Sequence, residues 1–237
     1  MSTVYFLTLR QLTSKWRLAI MTVLAVLPAV IALAMLSQRS APTVQVFETV
    51  VLGAILCGAI APLVVLAIAA PSFANELEDR TLANLTIAPV PRWHIVAAKL
   101  VAVLTMSVPF VVTSALVTSW IAFLGDPRAV VAVTVGALAG VVLYSSAFVL
   151  LGLMSTQAIG VGLLYVVVWE GFFAGFVAGA RLLSIRYTSV ALMHALDGRR
   201  FAWAANLNAT AATAVTLVGV GGFVWLSVRR LRRMDVP

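Results

Sequence analysis

The residues best suited to chemistry lie in one short stretch, NELEDRTLANL, at positions 75–85. Three of the chain's eight acidic residues are found there: Glu76, Glu78 and Asp79. Asn75 is suited to cap a helix that begins at Glu76, and Glu76 and Arg80 then form an i, i+4 ion pair in the favourable order. We therefore predict a short charged helix. The alternative is a solvated loop that only keeps charge away from the apolar runs on either side.

A second candidate is Glu170, which lies about 14 residues into an apolar segment, roughly 21 Å along a helix. An ionisable residue at that depth is a functional candidate because a charge in lipid is costly. Two interpretations are open. Glu170 faces a substrate path, or it stabilises a break in the helix where the chain turns back, since glycines follow at positions 171, 175 and 179. Arg181 and Arg186 are candidate partners.

Catalytic and metal-binding constellations are not visible in the sequence. His94 and His194 stand alone, without Cys, Asp or a second His at ligand spacing. The single cysteine, Cys57, lies in an apolar run and is expected to be a small buried hydrophobic residue. The phosphate-loop pattern G-x-x-x-x-G-K-[ST] does not occur. We therefore expect no enzyme activity and no metal site in this chain.

Composition predicts that these residues belong to a membrane protein. The chain is 62% hydrophobic and 10% charged, so it has too few polar groups to cover a surface in water. Six segments reach the roughly 20 apolar residues that a helix needs to cross a bilayer. They are 18–36, 48–70, 96–124, 129–153, 156–178 and 207–228. Because backbone groups in lipid must be satisfied internally, we predict an all-α integral membrane protein.

The positions of Lys and Arg predict the orientation. The residues behind the net charge of +8 flank apolar segments, as membrane-anchoring charges do, which argues against nucleic acid as a partner. With the amino terminus in the cytoplasm, ten of these residues lie inside and six outside. We therefore expect both termini in the cytoplasm and the chain in the inner (cytoplasmic) membrane.

The segments outside the spans complete one transmembrane domain over residues 1–237. Residues 1–17 are predicted to form an amphipathic helix in the cytoplasmic interface, or else an extension of the first span. Its apolar face is Tyr5, Phe6, Leu9, Leu12 and Trp16. Residues 71–95 form the longest cytoplasmic loop, with the charged helix. Residues 179–206 lie outside, either against the outer headgroups or as a plain external loop.

The acidic stretch and the span pattern resemble the exporter-type (type-2, ABC-2-like) permeases of ABC transporters. The loop between the second and third spans of these permeases carries an acidic pair, Thr-Leu-x-x-Leu, a Pro, a basic residue and a Lys that opens the next span. The matching residues are Glu78, Asp79, Thr81, Leu82, Leu85, Pro89, Arg92 and Lys99. The stretch GLLYVVVWEGFFAG, at 162–175, resembles the family's fifth span, which often has an aromatic–Glu pair.

This resemblance implies that the loop contacts a separate ATP-binding-cassette ATPase and transmits its closure to the spans. It assigns the following residues to that interface: Glu78, Asp79, Arg80, Thr81, Leu82 and Leu85. A charged helix with exposed leucines suits the role, because it can dock in a groove while its charges fix the register. The resemblance also implies short re-entrant outer helices between the fifth and sixth spans, which favours a structural role for Glu170.

The function that the resemblance implies is that of a permease subunit in an ATP-driven exporter. The unit would be a homodimer with two ATPase subunits, which bind the ATP and Mg²⁺. Few polar groups in the spans favour an apolar or amphiphilic substrate. Two alternatives stay open: a non-transporting intramembrane assembly or scaffold protein, and an ion-coupled carrier. The carrier is disfavoured because only Glu170 is clearly ionisable deep in a span, and proton relays usually need more groups.

Overall fold

The computed structural model of the chain describes residues 2–38, 43–78, 91–174, 181, 183–204 and 208–233. The regular structure in this part of the chain is helical. In chain order we number the helices α1 (Ser2–Leu12), α2 (Lys15–Leu36), α3 (Val44–Glu78), α4 (Arg92–Ala122), α5 (Pro127–Met154), α6 (Ala158–Phe173), α7 (Ile185–Leu196) and α8 (Ala209–Arg233). A short 3-10 turn, Ala202–Ala204, follows α7.

Within the described residues, five helices are long and apolar enough to cross a membrane: α2, α3, α4, α5 and α8. Each of them overlaps a predicted span. The predicted span at 156–178 is described only in part. Its helix α6, Ala158–Phe173, is apolar but shorter than the other five, and residues 175–180 lie outside the described residues. The described residues therefore support five of the six predicted spans.

Helix α3 continues into the segment that was predicted to be a loop. Pro71 has no amide to donate, so the helical hydrogen bonds are interrupted there. They resume at once, since the amide of Ala74 donates to the carbonyl oxygen of Ala70 at 3.2 Å, and the helix extends through Pro71–Glu78. Asn75 lies inside this helix, and the prediction that it caps a new helix at Glu76 is wrong. The first part of α3, Phe47–Ile60, is wound as a wider π-helix.

Helix α5 lies at the centre of the bundle and packs against α3, α4, α7 and α8. The spacing of Gly136 and Gly140 predicts close helix packing, either within the chain or between copies. In the structure this face of α5 receives α7. A Cβ atom on Gly136 would lie 2.5 Å from Cγ of Met193, and one on Gly140 would lie 2.5 Å from Oγ of Ser189. The two glycines thus serve packing inside one chain.

Helix α1 packs along α4, and Tyr5 Oη donates to Oγ1 of Thr105 at 3.3 Å. Its predicted apolar face is only partly covered: Leu12 is buried, whereas Phe6 is 66% exposed. We call the end of the bundle that holds α1, the last turn of α3 and the start of α4 the amino-terminal end. The other end, which holds the turn between α4 and α5, is the opposite end.

Candidate functional site

A buried lysine fixes the last turns of α3 to α4 at the amino-terminal end. Lys99, in the second turn of α4, is 0% exposed. Its Nζ lies 2.6 Å from Oε1 of Glu76, donates to the carbonyl oxygen of Ser72 and lies 4.3 Å from the ring centroid of Phe73. One ammonium group therefore contacts three residues in the last turns of α3, and we call Ser72, Phe73, Glu76 and Lys99 the stem.

The stem sets the direction in which α3 leaves the bundle. A buried pair of this kind is strongly position-specific, because the fully buried Lys99 ammonium would lose its ion-pair partner without Glu76. Of the residues predicted to contact an ATPase, Glu78 lies exposed at the end of α3, just beyond the stem. The remaining five lie outside the described residues: Asp79, Arg80, Thr81, Leu82 and Leu85.

Glu170, on α6, lies beside the start of α7. It is 0% exposed, and its carboxylate accepts three hydrogen bonds. The donors are Tyr165 Oη at 3.0 Å, Ser184 Oγ at 2.5 Å and the backbone amide of Ile185 at 2.8 Å. The amide of Tyr187 in turn donates to Oγ of Ser184 at 3.2 Å, so Ser184 caps α7.

This arrangement explains how α7 can begin inside the bundle. The first amides of a helix have no partner within it and carry a partial positive charge. The Glu170 carboxylate accepts a hydrogen bond from the Ile185 amide and compensates this charge, and Ser184 accepts a hydrogen bond from the Tyr187 amide. Glu170 therefore joins α6 to the start of α7, and α7 leads the chain back to the opposite end. This geometry favours the interpretation of Glu170 as the support of a helix break.

A mostly apolar cavity of about 390 Å³ lies beside this turn, between α5, α6, α7 and α8. Its apolar wall includes Leu143, Phe148, Leu151, Val161, Val215 and Phe223. Three hydroxyl groups line the same space, from Tyr165, Ser184 and Thr188. Two of them, those of Tyr165 and Ser184, also bond Glu170. The cavity volume is within the range of small-molecule pockets, and its few hydroxyls can orient a mainly apolar ligand.

At the opposite end, Arg200 connects three separate parts of the chain. Its guanidinium lies 3.8 Å from Glu48 on α3, 3.3 Å from Asp126 before α5 and 3.6 Å from Asp197 after α7. The same group stacks 4.1 Å from the ring centroid of Phe123. We call Arg200, Glu48, Asp126 and Asp197 the Arg200 network.

The backbone around the network is also fixed by side chains. The amide of Phe201 donates to Oε2 of Glu48 at 2.9 Å, and Nδ1 of His194 donates to the carbonyl oxygen of Arg200 at 2.6 Å. Burial raises the pKa of the Asp126 carboxyl, but hydrogen bonds from Arg200 and from the Arg128 amide outweigh it, so the net pKa is lowered. Asp126 thus stays charged at neutral pH.

The structure corrects one premise of the sequence argument. Glu170 is not alone as a buried ionisable residue, because Glu48, Lys99 and Asp197 are buried as well. Each of those three is ion-paired near one end of the bundle, so they do not form a relay with Glu170. Within the described residues, no group of three or more His, Cys, Asp or Glu side chains is placed to hold a metal ion.

The comparisons with known proteins agree with this architecture. The family model described as "ABC-2 family transporter protein" matches residues 6–186. The comparison with curated proteins finds no match. The matched range runs from α1 to the first turn of α7 and contains both the stem and Glu170. The chain therefore belongs to the ABC-2 transporter family and is a multi-pass membrane permease.

Proposed function

We propose that the chain is the membrane subunit of an ATP-driven exporter and works as a homodimer with two separate ATPase subunits. The partners would bind ATP and Mg²⁺, since the chain has no phosphate-loop pattern. The observation that carries the proposal is the stem. Lys99 ties α3 to α4 at Glu76, two residues before the segment that the family resemblance assigns to the ATPase interface begins, so a push on that segment would reach two spans together.

The substrate class that fits this site is apolar or amphiphilic. The cavity between α5 and α8 is lined mainly by aliphatic and aromatic side chains, and its polar groups are uncharged hydroxyls. A sugar or an ion would lose hydration there without enough partners to replace it. A lipid or a lipophilic compound would lose little hydration free energy on entering the cavity.

Homodimer formation is proposed from the exposed faces of the outer helices. Apolar side chains on α2 and α8 are largely uncovered, with Val23 67% and Leu217 74% exposed. Lipid covers part of such a surface, and a second copy would cover the rest while enclosing a pathway between the two chains. Mass photometry of the purified protein tests this, and a single monomeric species at working concentration would contradict it.

The ATPase partnership is tested by co-expression and co-purification with candidate ATP-binding-cassette ATPases from the same organism. Leu82→Asp and Leu85→Asp each place a charge in the proposed interface, so we expect loss of the complex and of its stimulated ATP hydrolysis. Leu124→Asp is the matched control, because Leu124 is 90% exposed at the opposite end. An intact complex with either interface variant would overturn the assignment. A complex that forms without any effect on ATP hydrolysis would favour the scaffold alternative.

A further inference from the structure

A second group of polar side chains gathers on the ring of Tyr187 in α7. The guanidinium of Arg181 lies 5.3 Å and that of Arg186 lies 5.7 Å from the ring centroid. The ring of Trp203 meets the same tyrosine edge-on at 5.5 Å between centroids. Two guanidinium groups and an indole ring thus contact one aromatic ring. We call Arg181, Arg186, Tyr187 and Trp203 the arginine cluster.

The arginine cluster packs against the π-helical part of α3. A Cβ atom on Gly53 would lie 2.9 Å from Cζ2 of Trp203, and one on Gly58 would lie 2.9 Å from Cδ of Arg186. Any larger residue at either position would displace the side chain that now lies there. The two glycines therefore allow an arginine and a tryptophan to lie directly on the backbone of α3.

The charge of Arg186 is not balanced by the described protein. Its Nε is buried and has no hydrogen-bond partner, and Arg186 makes no ion pair with the described residues. Glu170 does not form this ion pair either. Its carboxylate oxygens accept hydrogen bonds from Ser184, Tyr165 and the Ile185 amide. Nε1 of Trp203 is likewise buried without an acceptor.

Arg200 provides a comparison, because its guanidinium is neutralised by carboxylates of the same chain. It lies within 4 Å of three carboxylates, whereas Arg186 has none at that distance. Arg186 is also deeper. Asp197, which follows the last residue of α7, lies eleven positions further along the chain. That is roughly 16 Å along a helix and about half of the hydrocarbon thickness. An arginine at that depth needs an anionic partner or water.

We propose that the arginine cluster binds the phosphate headgroup of an anionic amphiphile. A guanidinium is suited to phosphate because its planar N–H groups form two parallel charge-assisted hydrogen bonds. Trp203 Nε1 would supply a further donor, and the aromatic ring and apolar spans around it would contact the start of an acyl chain. That this amphiphile is the exported cargo rests on the proposed function, whereas the binding itself does not.

The test uses the full chain, purified in a neutral detergent, and three probes: dodecyl phosphate, inorganic phosphate and dodecyl maltoside. The dissociation constant of each is measured from the shift in thermal unfolding. We expect dodecyl phosphate to bind most tightly. Arg186→Gln should weaken it at least about tenfold, since a charge-assisted hydrogen bond is lost. Arg186→Lys keeps the charge but not the fork and should weaken it less. Arg199→Gln, an equal charge change at an exposed position, should have no effect.

The outcomes separate the sources of binding. If inorganic phosphate binds as tightly as dodecyl phosphate, the proposed ligand is not an amphiphile, because the dodecyl group would then contribute nothing to the affinity. Equal affinity of the wild type and Arg186→Gln would overturn the site. If Arg186→Gln fails to fold, the comparison of Arg186→Lys with Arg199→Gln decides. Since no ATPase is present in this experiment, a failure here leaves the proposed partnership standing, and loss of that partnership leaves the binding result unchanged.

Discussion

Among single residues, the buried charges carry the most specific information about this molecule. Lys99→Met removes the ammonium from the stem and leaves Glu76 beside an apolar helix. We expect unfolding to become easier by about 3 kcal/mol, because a buried charge loses its partner. Adding Glu76→Gln should restore part of this loss. The measurement is thermal unfolding in detergent, with Lys15→Met as the control at an exposed lysine. Equal effects of Lys99→Met and Lys15→Met would contradict the role of the stem.

Glu170→Gln distinguishes the two interpretations of the buried carboxylate. Glutamine keeps one acceptor but presents an amide group where Ser184 or Ile185 now donates, and the helix start loses a compensating negative charge. A structural role predicts a loss of about 1–3 kcal/mol in stability, with transport reduced in parallel. Unfolding and substrate-stimulated ATP hydrolysis are measured together. Unchanged stability with abolished transport would instead place Glu170 on the substrate path.

The sequence marks Glu170 but not its partners, and the reason is distance along the chain. A lone Glu in an apolar run is visible by type alone. Ser184 is one of many serines, and it becomes important only through a carboxylate 14 residues away. Arg200 is still less visible, because its contact with Asp126 spans 74 residues and depends on how α5 and α7 pack. Of these two groups, only Glu170 is recognisable beforehand.

Among the elements, the packing of α7 on α5 is the contact most sensitive to a single methyl group. Gly136→Ala would place Cβ 2.7 Å from the carbonyl oxygen of Ser189, so the backbone of α7 must move. We expect destabilisation by about 1–3 kcal/mol. Gly221→Ala, in α8, meets nothing within 4 Å and should be neutral or slightly stabilising. The unfolding midpoints of Gly136→Ala and Gly221→Ala are compared directly. Equal midpoints would show that α7 and α5 are not closely packed at Gly136.

Helix boundaries were predictable where lipid alone determines them. The ends of α2, α4, α5 and α8 lie within a few residues of the predicted spans because apolar length fixes them. The end of α3 and the start of α7 were not predictable. Helix α3 continues through Pro71–Glu78 because Lys99 of another helix compensates its charge. Helix α7 begins beside Glu170 because its first amide donates to that carboxylate.

Across the whole molecule, the Arg200 network holds the opposite end closed by joining α3, the turn before α5 and the end of α7. Arg200→Ala leaves Glu48, which is 6% exposed, without its cation. We expect the free energy of unfolding to fall by about 2 kcal/mol. This is less than the cost of breaking a fully buried ion pair, because Arg200 is partly exposed. Arg199→Ala is the exposed neighbour and control. Hydrogen exchange of the Phe201 amide should become faster only in Arg200→Ala. Equal exchange rates in both variants would show that the network does not hold this end closed.

The orientation of the bundle follows from one comparison of two exposed positions. Thr13 lies between α1 and α2 at the amino-terminal end, and Leu124 lies in the turn at the opposite end. If both termini are cytoplasmic, a membrane-impermeant maleimide added to intact cells should label Leu124→Cys at once and Thr13→Cys only after lysis. Cys57 is 2% exposed and contributes little background. The reverse pattern would put the stem outside the cell, where ATP is scarce, and the proposed coupling to an ATPase would fail with it.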